Sequence, residues 1–174
     1  MGFYCRENLE VQVYKHPHYQ SLNEKLMEDF NKLPFVAYEN QTHFTNIKGK
    51  QLNFTNNPHI VKPKGIVLIE QWVKQLINNN NVDINFHTWV ARLDEGQETL
   101  EHDHYPLCTM VFVYFVNTPE GSSPLVFPTS GKKVKAEAGT LVIHPSTLRH
   151  KVPTNRSHGR VTIASNMDII ETVH

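Results

Sequence analysis

The sequence predicts a mainly β protein, in which a sandwich or barrel of short strands follows two helices. From Asp83 onward, short runs rich in β-branched and aromatic residues alternate with turn residues, which is typical of an all-β sandwich or barrel. Before that point, two segments repeat apolar residues at the intervals of a helix. The 174 residues, of which 39% are hydrophobic, suit one domain with a sizeable core.

Composition excludes several classes of function. The 17 basic and 17 acidic residues give a net charge of zero, so we expect no nucleic-acid partner. The longest apolar run, residues 110–116, is too short to cross a membrane as a helix. No cationic and apolar leader opens the sequence, and its 2 cysteines are too few for a disulfide framework. We therefore expect a soluble cytoplasmic protein without a membrane partner.

The first predicted elements are a strand and a helix. Apolar and polar residues alternate over residues 9–13, which indicates a short half-buried strand. A helix follows, and Ser21 and Glu24 have the spacing of a capping box at its start. The apolar repeat of this helix ends at Pro34, and we expect its apolar stripe to pack in the core.

The next segment leads to a second helix. Residues 35–62 are rich in Asn, Thr and His without a sustained period, which indicates loops and short strands. A helix is predicted over residues 66–77, and the four asparagines at 78–81 end it because Asn side chains compete for backbone hydrogen bonds. Both helices precede the barrel, so we expect them to pack on its outer face.

The chain is predicted to form a single domain, residues 1–174. Residues 1–82 carry the first strand and the two helices, and residues 83–174 form the β core. Gly96 and Gly131 mark two of the turns in this core. Its predicted strands are residues 84–93, 109–116, 125–127, 133–136, 140–143 and 160–164.

His102 and His104 are the first candidate site residues. In an extended segment, residues two apart lie on one face, so both imidazoles share a face and Asp103 lies on the other. Two neutral imidazoles can bind a divalent transition metal, and His150, in the turn after the strand at 140–143, is the best third ligand. Three imidazoles leave one side of an ion open, as reactive sites do. The alternative is that these histidines are ordinary polar residues of a strand.

Arg160 is a candidate anion-binding residue. It lies ten positions after His150, and on a strand it shares a face with Thr162. A guanidinium can donate two parallel charge-assisted hydrogen bonds to a carboxylate. An inward-facing Arg without a nearby acid therefore implies a bound anion. The alternative is that Arg160 points to solvent or pairs with a surface acid such as Asp168.

With these residues in place, the C-terminal half resembles the iron- and 2-oxoglutarate-dependent oxygenase superfamily. The resemblance covers about residues 86–168 and is greatest to phage and bacterial prolyl-hydroxylase-like members. Its most specific element is a distal His followed by Arg ten residues later and by a hydroxyl residue two further on. The matching segments are residues 96–106, 114–128, 139–150 and 160–166.

The resemblance implies a fold, an activity and cofactors. The implied fold is a double-stranded β-helix, a jelly-roll or cupin-like barrel, with the N-terminal helices packed outside. Fe(II) would be held by His102 and His150, and Arg160 and Thr162 would bind the distal carboxylate of 2-oxoglutarate. The implied activity is that of a dioxygenase, which hydroxylates its substrate and converts 2-oxoglutarate and O2 to succinate and CO2, with ascorbate as a reductant. The substrate would be a small molecule or a peptide, most naturally a peptidyl proline.

Position 104 departs from the superfamily pattern, in which Asp or Glu follows the first His by two residues. We expect His104 to take that place and to complete the triad with His102 and His150, because it keeps the spacing. The alternative is that Asp103 swings in as the ligand. Glu101 or Asp103 could also fix the tautomer of a ligating imidazole by accepting its second N–H, but we expect each to be a solvated surface acid.

The cupins, which share the barrel, are a second resemblance. Gly96 before the His-x-His segment, and Gly139 before Pro145 and His150, fit parts of the two cupin motifs. Cys108 stands in the region where those motifs place a Glu. Two alternatives to the oxygenase therefore stay open: a cupin-type metal enzyme that does not use 2-oxoglutarate, and a barrel that binds a ligand without catalysis.

Overall fold

A computed structural model describes residues 10–39, 46–77 and 82–171. Leu9, where the first predicted strand begins, and the predicted break at residues 78–81 lie outside the described residues. In the part that is described, no helix is long and apolar enough to cross a membrane.

The described residues form two helices and eleven strands. The helices are α1 (Tyr19–Phe30) and α2 (Lys64–Ile77). The strands before α2 are β1 (Gln12–Lys15), β2 (Val36–Tyr38) and β3 (Ile47–Asn53). The strands after α2 are β4 (Val82–Leu93), β5 (Glu98–His102), β6 (Met110–Asn117), β7 (Leu125–Phe127), β8 (Lys132–Val134), β9 (Thr140–Pro145), β10 (His150–Val152) and β11 (Arg160–Glu171).

In the described part of the chain, the strands divide between two antiparallel layers, and β2 pairs only with β3. The larger layer has the order β1-β9-β6-β11-β4-β3, and the smaller layer has the order β5-β10-β7-β8. Strand β3 joins them, because its C-terminal part pairs with β4 while Ile47 and Lys48 pair with β5. This confirms the mainly β class and the double-stranded β-helix. The division into one domain at residues 1–174 stays a prediction.

Strand β6 lies between β9 and β11 and is buried on both faces. Phe112, Tyr114 and Val116 pack toward the helices, while Val113 and Phe115 pack toward the smaller layer. A strand that is covered on both sides needs no polar face, which explains its uninterrupted apolar sequence. Each of these large side chains contributes roughly 1.5–3 kcal/mol when it is fully buried.

The two helices cover the outer face of the larger layer, as predicted. Ile66, Ile69 and Val73 of α2 are fully buried, and their spacing of three and four residues gives one apolar face. The helices approach closely at Gly65, where a Cβ atom would lie 2.6 Å from the side chain of Leu26. Any larger residue at position 65 would therefore push α1 and α2 apart.

Helix α1 begins before its predicted capping box, so that prediction is wrong. The N-cap is His18, whose side chain makes no capping hydrogen bond. Ser21 lies inside the first turn, where its hydroxyl donates to the His18 carbonyl at 3.4 Å. Tertiary contact accounts for the earlier start, because Tyr19 packs so closely on Gly139, whose φ is +83°, that a side chain there would clash.

The strand bounds agree best with the prediction where the sequence is apolar. Strand β7 has the predicted bounds, but β11 continues from Ala164 to Glu171. Pairing accounts for the extension, because β11 stays in register with β4 along its whole length. Strands β5 and β10 were not predicted as strands, since β5 is mostly polar and β10 has three residues.

Candidate metal and anion site

Two histidines face each other where β5 and β10 meet. His102 ends β5 and His150 begins β10, and the two residues are direct partners in the antiparallel pairing. His104 follows two residues after β5, and its backbone N–H donates to the Ser146 carbonyl at 2.9 Å. That bond ties the His-x-His segment to the turn between β9 and β10 and brings the third imidazole to the other two.

The three imidazole rings form a compact cluster. The ring centroids lie 4.5 Å apart for His102 and His150, 5.0 Å for His102 and His104, and 5.1 Å for His104 and His150. One nitrogen from each ring lies within 4.8 Å of the others, and the Nε2 atoms of His104 and His150 are 3.4 Å apart. Two nitrogens bound to one ion at about 2.1 Å are about 3.4 Å apart at a tetrahedral angle. The spacing of this pair therefore fits a shared metal ion.

Backbone carbonyls fix the tautomers of two of the rings. His102 Nδ1 lies 2.7 Å from the Leu100 carbonyl oxygen, and His150 Nδ1 lies 3.0 Å from that of Leu148. Because a carbonyl oxygen can only accept, each Nδ1 carries the proton and each Nε2 keeps a free lone pair. A lone pair on Nε2 is what a metal ion needs from a neutral imidazole.

The acids beside the cluster do not fix the tautomers of His102 and His150, which was one of the two roles considered for them. Glu101 Oε1 accepts from Arg149 Nε at 2.8 Å, and Asp103 Oδ2 lies 3.7 Å from Arg149 Nη1. Asp103 Oδ1 accepts the backbone N–H of Tyr105 at 3.2 Å. The structure thus brings His104, and not Asp103, into the cluster, since both Asp103 oxygens are engaged elsewhere.

Burial keeps the imidazoles neutral. It lowers the pKa of His150 to about 2 and the pKa of His104 to about 3, and it also lowers the pKa of His102. Neighbouring imidazoles lower the pKa of His104 and His150 further, because each would repel a second positive charge. The neutral imidazole is the form that binds a metal, so the three rings are ready as donors at neutral pH.

Arg160, the first residue of β11, is buried without an acidic partner. It is 2% exposed, its Nε donates to the Ser123 carbonyl at 2.9 Å, and its Nη2 has no hydrogen-bond partner. Within the described residues no carboxylate lies at ion-pair distance from it, and Asp168 instead contacts His87 at 3.3 Å. Burial lowers the pKa of Arg160 to about 10, so the side chain is still a cation at neutral pH.

The guanidinium and the imidazoles line one cavity inside the barrel. Thr162, which is buried, lies on the same strand face as Arg160 and also lines this cavity. A buried guanidinium with a free N–H fits an anion, and neutral imidazole nitrogens fit a divalent transition metal. The residues present therefore fit a metal ion together with an acidic ligand.

His144 is a further histidine at this site that the sequence reasoning missed. It is fully buried, its ring centroid lies 4.6 Å from that of His150, and its Nε2 has no partner. Its Nδ1 lies 2.9 Å from the Pro145 carbonyl oxygen, and burial lowers its pKa to about 4. Strand alternation could have found it, because Val142, two residues earlier, faces the barrel interior.

Trp89 and Asn166 also border the imidazoles and were not predicted. The Trp89 ring stacks on His104 with centroids 6.0 Å apart. Asn166 Oδ1 is buried without a partner in hydrogen-bonding geometry, and its side chain is close enough to favour the protonated form of His104. Strand alternation could have identified Asn166 as well, because it lies two residues after Ala164 on β11 and Ala164 faces the interior.

Comparison with known proteins places the fold. No family model matches the sequence, and no curated protein matches it. A viral collagen prolyl hydroxylase from Paramecium bursaria Chlorella virus-1, solved with 2-oxoglutarate, is similar over 90% of this chain and 94% of its own, with a TM-score of 0.65 and 16% identity. A 2OG-Fe(II) oxygenase family protein from Burkholderia pseudomallei is similar over 90% and 85%, with a TM-score of 0.67 and 12% identity.

A third similar structure holds a peptide. It is a prolyl hydroxylase from Trichoplax adhaerens in complex with a hypoxia-inducible factor fragment, similar over 91% of this chain and 83% of its own, with a TM-score of 0.68 and 14% identity. Likenesses at these identities establish the fold alone. The resemblance predicted from the sequence is thus confirmed at the level of structure: the chain has the jelly-roll fold shared by 2OG-Fe(II) oxygenases and prolyl hydroxylases.

Proposed function

We propose that this chain is an Fe(II)- and 2-oxoglutarate-dependent dioxygenase that hydroxylates its substrate. The observation that carries the proposal is one cavity that holds three neutral imidazoles and a buried guanidinium without an acid. A metal ion and a dicarboxylic acid together satisfy both groups. The similar structures support this choice, since one is a 2OG-Fe(II) oxygenase family protein and another was solved with 2-oxoglutarate.

His102, His104 and His150 would hold Fe(II) through one ring nitrogen each. The carbonyls of Leu100 and Leu148 keep two of these rings in the tautomer that presents Nε2. Since no carboxylate belongs to the donor set, the chain itself would not neutralise the charge of the ion. An anionic cosubstrate would then bind more strongly beside it.

Arg160 and Thr162 would bind the distal carboxylate of 2-oxoglutarate. The free Nη2 of Arg160 offers a charge-assisted hydrogen bond, and the carboxylate would neutralise a buried cation. When bound, iron and 2-oxoglutarate supply the oxidation that consumes O2, forms succinate and CO2, and hydroxylates a C–H bond. The chain orients these partners and excludes water, because apolar residues such as Val113 and Leu125 line the cavity.

A peptide or a small molecule would be the substrate, and the specific proposal is a peptidyl proline. Support comes from the prolyl hydroxylases among the similar structures, one of which was solved with a peptide fragment. A cytoplasmic location and the lack of a nucleic-acid partner stay predictions.

The carboxylate-free donor set favours a second candidate, a cupin-type metal enzyme that does not use 2-oxoglutarate. In that case Arg160 would bind an anionic group of the substrate itself. Such an enzyme would bind the metal but form no succinate.

Succinate formation tests the proposal. The protein, supplied with Fe(II), ascorbate and 2-oxoglutarate, is expected to form succinate slowly even without substrate. Arg160→Met should lower this rate by about 100-fold, because two charge-assisted hydrogen bonds contribute about 3 kcal/mol. Arg156→Met is the matched control, since Arg156 is an exposed arginine near the same strand. A folded, iron-loaded protein that forms no succinate would contradict the proposal and favour the second candidate.

A further inference from the structure

The two ends of the strand order border one groove. Strand β1 pairs with β9 and strand β8 with β7, and each is a terminal strand of the order. Val11 and Val13, at the β1 side, and Lys132 and Lys133 of β8 line a groove of about 790 Å³. The barrel is therefore open on this side, between two strand edges that do not pair with each other.

The groove lies close to the imidazole cluster. Phe127, at the end of β7, and Leu148 and Arg149, in the turn before β10, also line it. The Phe127 ring lies 6.3 Å from that of His150, centroid to centroid, and Leu148 and Arg149 directly precede His150. A segment bound in the groove would pass beside the proposed metal site.

The walls of the groove suit an extended polypeptide. The outer edge of a terminal strand presents backbone N–H and C=O groups in alternation, and an extended peptide can pair with them as an added strand. Val13 on β1 is 51% exposed, although edges usually carry charged or proline residues that discourage pairing. Among the described residues, no strand pairs with the outer edge of β1.

The charge of the groove favours an acidic segment. Lys132 and Lys133 are exposed, and neither has an ion-pair partner among residues 10–39, 46–77 and 82–171. Lys135, just beyond β8, differs because it pairs with Glu137 at 2.9 Å. Glu10, which also lines the groove, offsets one of these two charges. The net positive charge that remains would attract carboxylates, and salt would weaken that attraction.

We propose that this groove binds the substrate as an extended polypeptide that carries acidic residues, with its main chain paired to an edge of β1 or β8. The inference rests on the proposed function, whose substrate class it names. The bound segment places one residue beside the imidazole cluster, and the neighbouring acidic residues contact Lys132 and Lys133.

Fluorescence anisotropy tests the recognition. The probe is a fluorescein-labelled peptide of twelve residues that alternates Glu and Thr, and the comparison peptide alternates Lys and Thr. The acidic peptide should bind about tenfold more tightly, and the double variant Lys132→Glu/Lys133→Glu should lose about tenfold in affinity. Lys25→Glu/Lys64→Glu makes the same charge change on the exposed helix surface and should leave binding unchanged. Equal binding of both peptides, or no effect of the β8 variant, overturns the proposal.

Paramagnetic broadening tests the location. Mn(II) bound at the imidazoles should broaden the NMR signals of the acidic peptide, and His150→Ala should abolish the broadening. Peptide binding without metal binding would contradict the proposed function but support the groove as a peptide-binding site. Metal binding without peptide binding, or a bound peptide without broadening, would contradict only the proposal that the groove binds the substrate.

Other occupants of the groove give distinct results. A dimer that Lys132→Glu/Lys133→Glu dissociates in sedimentation velocity would assign the groove to a second copy of the chain. A chain beginning at Glu10 that binds the peptide when the full chain does not would assign it to residues 1–9. Either result overturns the proposal.

Discussion

The two faces of the larger layer come from the same strands, but they treat buried polar groups differently. On the helix face, Thr88 Oγ1 donates to Glu70 Oε1 at 2.6 Å, and Lys62 Nζ donates to the same oxygen at 2.7 Å. Arg92 Nε, on the same side of β4 as Thr88, has no hydrogen bond but lies 3.6 Å from Asp94 Oδ1. On the barrel face, Arg160 Nη2 and His144 Nε2 have no partner. Burying an unpaired polar group costs about 1–3 kcal/mol. The polar groups of the helix face are therefore paired within the protein, whereas the barrel face keeps unpaired groups that a ligand would satisfy.

The largest expected effect of a single substitution is on the helix face. Phe112→Ala should lower the free energy of unfolding by about 3–5 kcal/mol, because a fully buried aromatic ring leaves a cavity between the layer and the helices. Urea unfolding of the metal-free protein measures the change. A loss below about 1 kcal/mol would show that packing on this face does not dominate stability.

Acid should destabilise the barrel face. Burial lowers the pKa of His144, His104 and His150 to about 4, 3 and 2, whereas these residues titrate near 6.5 in the unfolded chain. Below pH 6.5 the unfolded chain binds protons that the folded chain does not, so stability falls as the pH falls toward these values. Each histidine contributes about 1.4 kcal/mol per pH unit within that window.

The substitution His144→Phe removes one of these titrating groups and so measures its share of the pH dependence. Between about pH 6 and pH 4.5, the pH slope of the unfolding free energy should decrease by about 1.4 kcal/mol per unit. Urea unfolding at several pH values, with a chelator present, measures both slopes. His59→Phe, an exposed histidine, is the control. Equal slopes for wild type and His144→Phe would mean that His144 is protonated in the folded protein.

Arg160→Met should have a smaller effect of the opposite sign. Removal of a buried cation that has no acidic partner should raise the free energy of unfolding by about 1–3 kcal/mol in the absence of ligand. The variant should also lose the stabilisation that 2-oxoglutarate gives to the metal-loaded protein. A destabilised variant in urea unfolding would mean that the Nε bond to Ser123 outweighs the unpaired charge.

The smallest effect is expected at Ser21. Because Ser21 lies inside α1 and is not its N-cap, Ser21→Ala should change the free energy of unfolding by less than about 0.5 kcal/mol, whereas loss of a cap costs about 1 kcal/mol. Thermal unfolding resolves the two cases. A loss of about 1 kcal/mol would restore the capping box.

The sequence was most informative where one physical requirement dominates a segment. The apolar run of β6 predicted a strand, and the run is uninterrupted because both faces of the strand are covered. Alternation predicted that Arg160 and Thr162 share a face, and both line the cavity. Long-range strand pairing could not be predicted from the sequence. The polar strand β5, for example, forms because it pairs with β3 and β10. That pairing also sets His102 opposite His150, which no local pattern encodes.

Site residues without a partner at a recognisable spacing in the sequence were the hardest to predict. The triad could be suggested because His102 and His104 lie two residues apart and Arg160 follows His150 by ten residues. His144 has no such companion in sequence, and its place beside His150 depends on how β9 and β10 fold back on each other. The tautomers were also hidden from the sequence, because their acceptors are carbonyls of the local backbone.

Diffraction at the iron absorption edge, from crystals grown without oxygen in Fe(II) and 2-oxoglutarate, tests the central claim most directly. The account predicts one anomalous peak at about 2.0–2.2 Å from a ring nitrogen of His102, His104 and His150, with a 2-oxoglutarate carboxylate on Arg160. A cavity without an anomalous peak, or a peak bound by Asp103 in place of His104, would contradict it.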